Sequence, residues 1–247
     1  MGLRPRGAES WGINMKILGL DSSGLVAGVA VVEDGILLGE YTTDYKKTHS
    51  QTLLPMLDAL KNMIELDLNT LDAIAVASGP GSFTGLRIGS ATAKGLGFAL
   101  KKPLVEVPTL EGLAWNLWGT DRIVCPLMDA RRNQVYTAAY EFMPAGEEFA
   151  LKTVIPQNPS DIGDLLEKLN GLDRPVIFLG DGVPVYLELI KARIRVEYSI
   201  APAGNNRQRA GSVAALGAVY YAQGKTVDAA DHCPEYLRKS QAERERG

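Results

Sequence analysis

The chain is poor in the residues that mark metal, disulfide or nucleic-acid chemistry. Its 247 residues include two cysteines, Cys125 and Cys233, whose spacing matches no metal or redox motif. Cys125 lies in an apolar, strand-like run and reads as a buried thiol. Two histidines, His49 and His232, are the full complement, and neither has a second imidazole close in sequence, so no metal-ligand pattern forms. His49, just before a helix, reads as a solvated or capping side chain. Lys and Arg number 26 against 29 Asp and Glu, a net charge of −3, whereas a chain that grips nucleic acid alone shows a basic face. No apolar run approaches the ~18 residues that a membrane span requires, and nothing resembles a secretion signal. These absences point to a cytoplasmic chain.

What the chain has is glycine and other small residues, concentrated between Ser78 and Gly97 (SGPGSFTGLRIGSATAKGLG). The stretch follows the β-type run Leu71–Ala77 and opens a helix on which Gly85, Gly89, Ala93 and Gly97 recur every four residues, along one ridge. Each mid-helix glycine costs about 1 kcal/mol relative to alanine, so a row of them implies that another backbone comes close. The loop is not a P-loop, because Leu86 and Arg87 stand where Lys and Ser/Thr are required. Nor is it a dinucleotide fingerprint, since Gly79 and Gly81 lack a glycine three positions on. Ser82 and Thr84 at the helix start leave an anion site or a simple hydroxyl cap as readings, the cap being the commoner.

The remaining pattern predicts a duplicated α/β chain. Residues 1–14 lack periodicity and are set aside as a leader or an upstream start. Strands at Lys16–Leu20, Val26–Val32 and Ile36–Thr42 precede a helix at Ser50–Leu66, the strand 71–77, the small-residue helix to Leu100, a strand at Leu104–Val107 and a helix at Thr109–Trp118. The order then restarts: strands Ile123–Asp129 and Gln134–Phe142 around Arg131-Arg132-Asn133, a third at Leu151–Ile155, a helix at Ser160–Leu169, a strand at Val176–Leu179, and Gly180-Asp181-Gly182 turning into another helix. A final helix spans Arg209–Gln223. Meander followed by helix–strand alternation, twice over, predicts mixed sheets flanked by helices, in the coarse manner of actin-like kinases and chaperones. The expected division is 15–106 and 107–230, with 209–223 able to pack back on the first domain and 231–247 a tail. QAERERG at its end reads as solvated.

Several blocks carry a closer resemblance. ILGLDSSG, HSQTLLPMLDAL, LDAIAVASGPGSFTGLRIGSATAKGLG, DARRNQVY and PEYLRKSQAERE resemble the bacterial TsaB (YeaZ) family, over Met15 to nearly the end. The resemblance implies an actin-like (ASKHA) two-domain fold. It also implies a part in placing threonylcarbamoyl on the adenosine next to the anticodon of ANN-decoding tRNAs. Catalysis would belong to a paralogue, TsaD, with the ATPase TsaE completing the machinery and tRNA reached through the complex. The catalytic paralogue holds a metal through two histidines four residues apart; the matching segment here, VPTLEGL, has Thr109 and Leu113 instead. Thr is a poor ligand and Leu none.

Nucleotide chemistry is weakly represented. The first hairpin offers Asp21, Ser22 and Ser23 with a displaced glycine. The second offers Asp129-Ala130-Arg131, where close approach of a phosphate calls for glycine. Asp21, Ser22, Ser23, Ser82 and Thr84 are therefore weak nucleotide or anion candidates, Asp21 reading more strongly as a buried turn-forming residue; no cofactor is expected to bind firmly, and ATP or ADP with Mg is expected only in the complex. An ATP-dependent kinase and a homodimeric regulator are the rival readings. A protease is rejected, as no metal, nucleophile elbow or assignable base is present.

A non-catalytic, partner-binding role remains. In Ser50–Leu66, Leu53, Leu57, Leu60 and Ile64 form the core stripe, and Leu54, Met56 and Met63 widen the apolar surface. Methionines adapt well to partner contacts. The expected interface joins these three to Gly85, Arg87, Gly89, Ala93 and Gly97 on the next helix, packing against the matching pair of the TsaD-like paralogue, or against a second copy when alone. Ala93→Leu is expected to block that association and leave the monomer folded.

Overall fold

Alternation of buried side chains along β1 (Lys16–Asp21) sets the first layer arrangement. Leu18 and Leu20 join the cluster under α1 (His49–Met63) and α2 (Phe83–Leu100). Ile17 and Gly19 turn the other way, toward α6 (Ala210–Ala222). A strand buried on both faces is what a helix–sheet–helix sandwich demands. The computed structural model describes residues 15–44, 49–131, 133–146 and 148–237, without the side chains of His49 and Ser50. The leader 1–14, Arg132 and the QAERERG tail lie outside the described residues.

β1 pairs antiparallel with β2 (Ala27–Glu33), which pairs antiparallel with β3 (Ile36–Thr43). On its other side β1 runs parallel to β4 (Ala73–Gly79), followed by β5 (Leu104–Pro108), giving the order β3-β2-β1-β4-β5. The second sheet repeats this with β6 (Ile123–Asp129), β7 (Gln134–Ala145), β8 (Glu148–Asp161), β9 (Val176–Leu179) and β10 (Tyr198–Ile200), in the order β8-β7-β6-β9-β10. Its antiparallel and parallel pairings match the first strand for strand. The helices also fall in the same places: α1, α2 and α3 (Thr109–Ala114) in the first half, α4 (Ile162–Asn170), α5 (Gly182–Arg193) and α6 in the second. This doubled order is the actin-like (ASKHA) architecture.

Two compact units result. One runs to Gly112 and resumes over Arg209–Glu235; the other takes Leu113–Gln208. The expected break at 106/107 falls early because β5 leads straight into α3, where Gly112 sits under Val213 of α6. The expected end at 230 falls late, because α6 lies on β1, β2 and β4 of the first sheet. The contact is close: a Cβ at Gly19 would overlap the Ala210 carbonyl, and one at Gly217 would overlap Ala75. The first turn of α6 is fixed by Glu40 of β3, whose carboxylate accepts the Gly211 N–H at 3.1 Å and pairs with Arg209. A carboxylate at a helix N-terminus satisfies an orphan donor and complements the dipole.

Local differences have local causes. α4 begins at Ile162, not Ser160, since Asp161 is its cap, accepting from Gly163 N at 2.7 Å. The helix expected to reach Trp118 ends at Ala114 and tightens to a 3₁₀ turn over Trp115–Leu117. β10 has three residues, too few for a periodicity to register. Cys125 is fully buried, its thiol pushed up to about 12 by desolvation, while Cys233 is exposed. Native protein treated with iodoacetamide at mildly alkaline pH should therefore be alkylated at Cys233 alone, as peptide mass mapping would read; modification of Cys125 without denaturant would contradict its burial.

Candidate functional site

The turn after β1 is closed by its own side chains. Asp21, Ser22 and Ser23 are all buried. Asp21 Oδ1 accepts from Ser23 N at 2.8 Å and from Ser23 Oγ at 2.6 Å, an Asx-type turn. Ser22 Oγ donates to the Gly85 carbonyl at 2.8 Å, and the Ser23 carbonyl accepts the Ser82 N–H at 2.6 Å. The start of α2 thus closes on the hairpin. A Cβ at Gly81 would overlap the Ser23 carbonyl, one at Gly85 the Ser22 carbonyl, and one at Gly89 would stand 2.6 Å from Ser22 Oγ. A phosphate does not fit here: the approach is filled by carbonyl oxygens, and a buried carboxylate opposes a second anion. Asp21 is the buried turn residue its sequence favoured, and Ser22 and Ser23 are corrected from anion candidates to turn residues. Ser82 caps α2, its Oγ accepting Gly85 N at 3.3 Å; Thr84 is exposed beside it.

The small-residue ridge is also corrected. Gly85, Gly89, Ala93 and Gly97 are buried within the first unit, and the backbone they admit belongs to the same chain. Gly85 and Gly89 face Ser22, while Gly97 faces Ala229 and Leu104. Ala229 belongs to a strap that follows α6. Val227 pairs with Leu104, Lys94 Nζ donates to the carbonyls of Ala230 and His232, and His232 Nδ1 lies 2.6 Å from Glu106 Oε1. Farther along, Glu235 N donates to the Ser78 carbonyl at 2.7 Å.

The opposite side of the same layer is open. α1 and α2 lie side by side. On their outer surface Leu54 is 53% and Met63 71% exposed, and Arg87 is exposed with its guanidinium 4.0 Å from the Phe83 ring. Met56 is half-buried against the core. The sequence reading missed Phe98, 59% exposed, and a second run of small residues, Ala91 and Gly95, both exposed. Nothing lies within 4 Å of a Cβ built on Gly95. Thr84, Ala91, Gly95 and Phe98 follow helical spacing, so the signal was in the sequence. It was hidden because the glycine-richer ridge, on the opposite side of the helix, drew the assignment. Leu54 and Met63, nine residues apart, stand on opposite flanks of the core stripe of α1, while Phe98 shares the exposed side of α2 with the small residues Ala91 and Gly95, the form of a helix-packing surface.

Where the catalytic paralogue would need histidines, Thr109 Oγ1 accepts the Gly79 N–H at 3.1 Å and Leu113 is in the core. Among the described residues, no three His, Cys, Asp or Glu side chains gather as they would around a metal ion. No helix of the described residues is long and apolar enough to cross a membrane.

Comparison with known proteins follows the same line. The family model described as TsaD, tRNA N6-adenosine threonylcarbamoyltransferase, matches residues 37–246. A tRNA threonylcarbamoyladenosine biosynthesis protein TsaB from Bacillus subtilis is 36% identical over 93% of this chain and 96% of its own length. The Escherichia coli protein of that name is 29% identical over 92% and 96%. The solved YeaZ structure from Pseudomonas aeruginosa superposes with a TM-score of 0.69 at 27% identity, covering 90% of this chain and all of that one.

Proposed function

The chain belongs to the TsaB (YeaZ) family, and on that premise we propose that it is a non-catalytic scaffold subunit in threonylcarbamoyladenosine formation on tRNA. The outer face of α1 and α2 docks the matching helix pair of a TsaD-like paralogue, making a four-helix interface. The observation that carries this reading is the exposed side of α2, where Phe98 projects beside Ala91 and a Gly95 with open space over it, with Leu54 and Met63 of α1 also exposed beyond the needs of their own core. Large apolar anchors around a site of close backbone approach are what a well-packed interface requires. Without the paralogue, the same face is self-complementary about a two-fold axis and pairs two copies.

Chemistry is left to the paralogue. Thr109 and Leu113 are engaged in structure where metal ligands would stand, and the Asp21–Ser23 turn has no room for phosphate, which also disfavours the kinase reading. A TsaE-like ATPase and the tRNA are reached through the complex, and any ATP requirement belongs there.

Reconstitution tests this. Purified TsaD-like and TsaE-like proteins, the threonylcarbamoyl-adenylate donor with ATP, and an ANN-decoding tRNA should yield modified tRNA only when this chain is added. This chain with donor and tRNA alone should yield none. Unchanged product on omission would refute the scaffold role, and product from the chain alone would refute the non-catalytic one.

A further inference from the structure

The duplication is not symmetrical at its turns. In the first unit α2 presents glycines to the turn after β1, and the turn closes against them. In the second unit the corresponding helix, α5, presents Tyr186, whose hydroxyl donates to Asp129 Oδ1 at 3.2 Å. A hollow of about 590 Å³ lies between the turn and α5. That volume lies within the range of small-molecule sites.

The turn is ordered around Asp129, whose Oδ1 also accepts the Arg131 N–H at 2.9 Å. Ala130 N donates to the Gln134 carbonyl at 2.9 Å. Arg131 is held at φ +62°, left-handed backbone that glycine occupies freely and other residues adopt at about 1–2 kcal/mol. Its guanidinium is exposed on the rim and has no ion pair among the described residues. Asn133 at φ +57° shares that conformation, so the backbone is set by the hairpin turn; what is left for a ligand is the exposed guanidinium, which pairs with no carboxylate among the described residues. The rest of the lining defines that ligand. Asp129 contributes a carboxylate beside Arg131, which opposes a polyanion such as a nucleic-acid backbone or a nucleotide, whereas Glu188 on the rim is already paired with Lys191 at 2.8 Å. Val185 and Leu189 of α5 form an aliphatic wall.

We propose that this hollow binds a small zwitterion of the α-amino-acid type. The ligand's carboxylate meets the Arg131 guanidinium in a forked pair, its ammonium faces Asp129, and its side chain lies on Val185 and Leu189. This inference is independent of the partner-docking role.

Calorimetric titration of the full chain with each standard amino acid, and with inorganic phosphate as a control, tests it. At least one amino acid should bind saturably in the millimolar range or tighter, and phosphate should not. Arg131→Ala should weaken that binding at least about tenfold, equivalent to about 1.4 kcal/mol. Val185→Trp, on the exposed rim, should block it by filling the hollow. Arg131→Gly should raise the melting temperature by releasing the backbone while abolishing binding, a pairing that a purely structural arginine would not give. Absence of binding by every amino acid, binding of phosphate in their place, or binding unaltered in Arg131→Ala would each overturn the proposal.

Discussion

Leucine at Gly95 combined with aspartate at Phe98 is expected to abolish association with the TsaD-like partner while the protein stays folded. Neither position supports the monomer: Gly95 has open space around it and Phe98 is mostly solvent-exposed. Replacing a mid-helix glycine should even stabilise α2, by up to about 1 kcal/mol. In the complex, the leucine would hold the helices apart and the aspartate would bury an unpaired charge. Aromatic anchors at interface centres contribute about 2 kcal/mol or more each, so the pair should weaken binding by more than about a hundredfold. Titration of the purified paralogue would read this, with a melting curve to show that the fold is kept. Retained affinity in a folded double variant would remove α2 from the interface.

Ala93→Leu, two residues earlier on α2, should do the reverse of what the sequence suggested and unfold the chain more readily. Ala93 is 0% exposed and lies in the cluster formed with β1, β4 and α1. Extra methylenes there cost about 1–3 kcal/mol through displaced neighbours. At about 2–4 °C per kcal/mol for a chain of this size, the melting temperature should fall by roughly 2–12 °C. Gly85→Ala should be at least as damaging, because the obstruction is the Ser22 carbonyl, which cannot rotate away as a side chain could. A wild-type melting curve for Ala93→Leu would mean that α2 sits differently on its sheet. Residues 93 and 95 thus divide stability from association within one turn of helix.

Much of the architecture was legible because the chain obeys simple periods. β1, β2, β4 and β6 were located within a residue or two by their apolar runs, and the restart of the meander at Ile123 revealed the duplication. The ridge of Gly85, Gly89, Ala93 and Gly97 announced close backbone approach, and there is one. Spacing reports that a face is crowded and is silent on what crowds it. Here it is the Ser22 turn and Ala229, distant in sequence. Likewise Leu54 and Met63 emerged as apolar residues beyond the core stripe, whereas Phe98, in a helix dominated by its glycine ridge, was not singled out. The hollow beside Arg131 had no sequence signature, because its lining joins the turn at Asp129–Asn133 to α5, over fifty residues downstream.

The discontinuity of the first unit shapes how the chain is made. Synthesis releases β1 through β5 with one face of their sheet bare, and the helix that seals it, α6, leaves the ribosome after the whole of Leu113–Gln208. Throughout that interval the nascent chain carries uncovered Ile17, Gly19 and Ala75. Such surface invites misassembly or capture by chaperones. The second sheet, contiguous in sequence, leaves the ribosome whole before α6 does and is free to fold while the first unit waits.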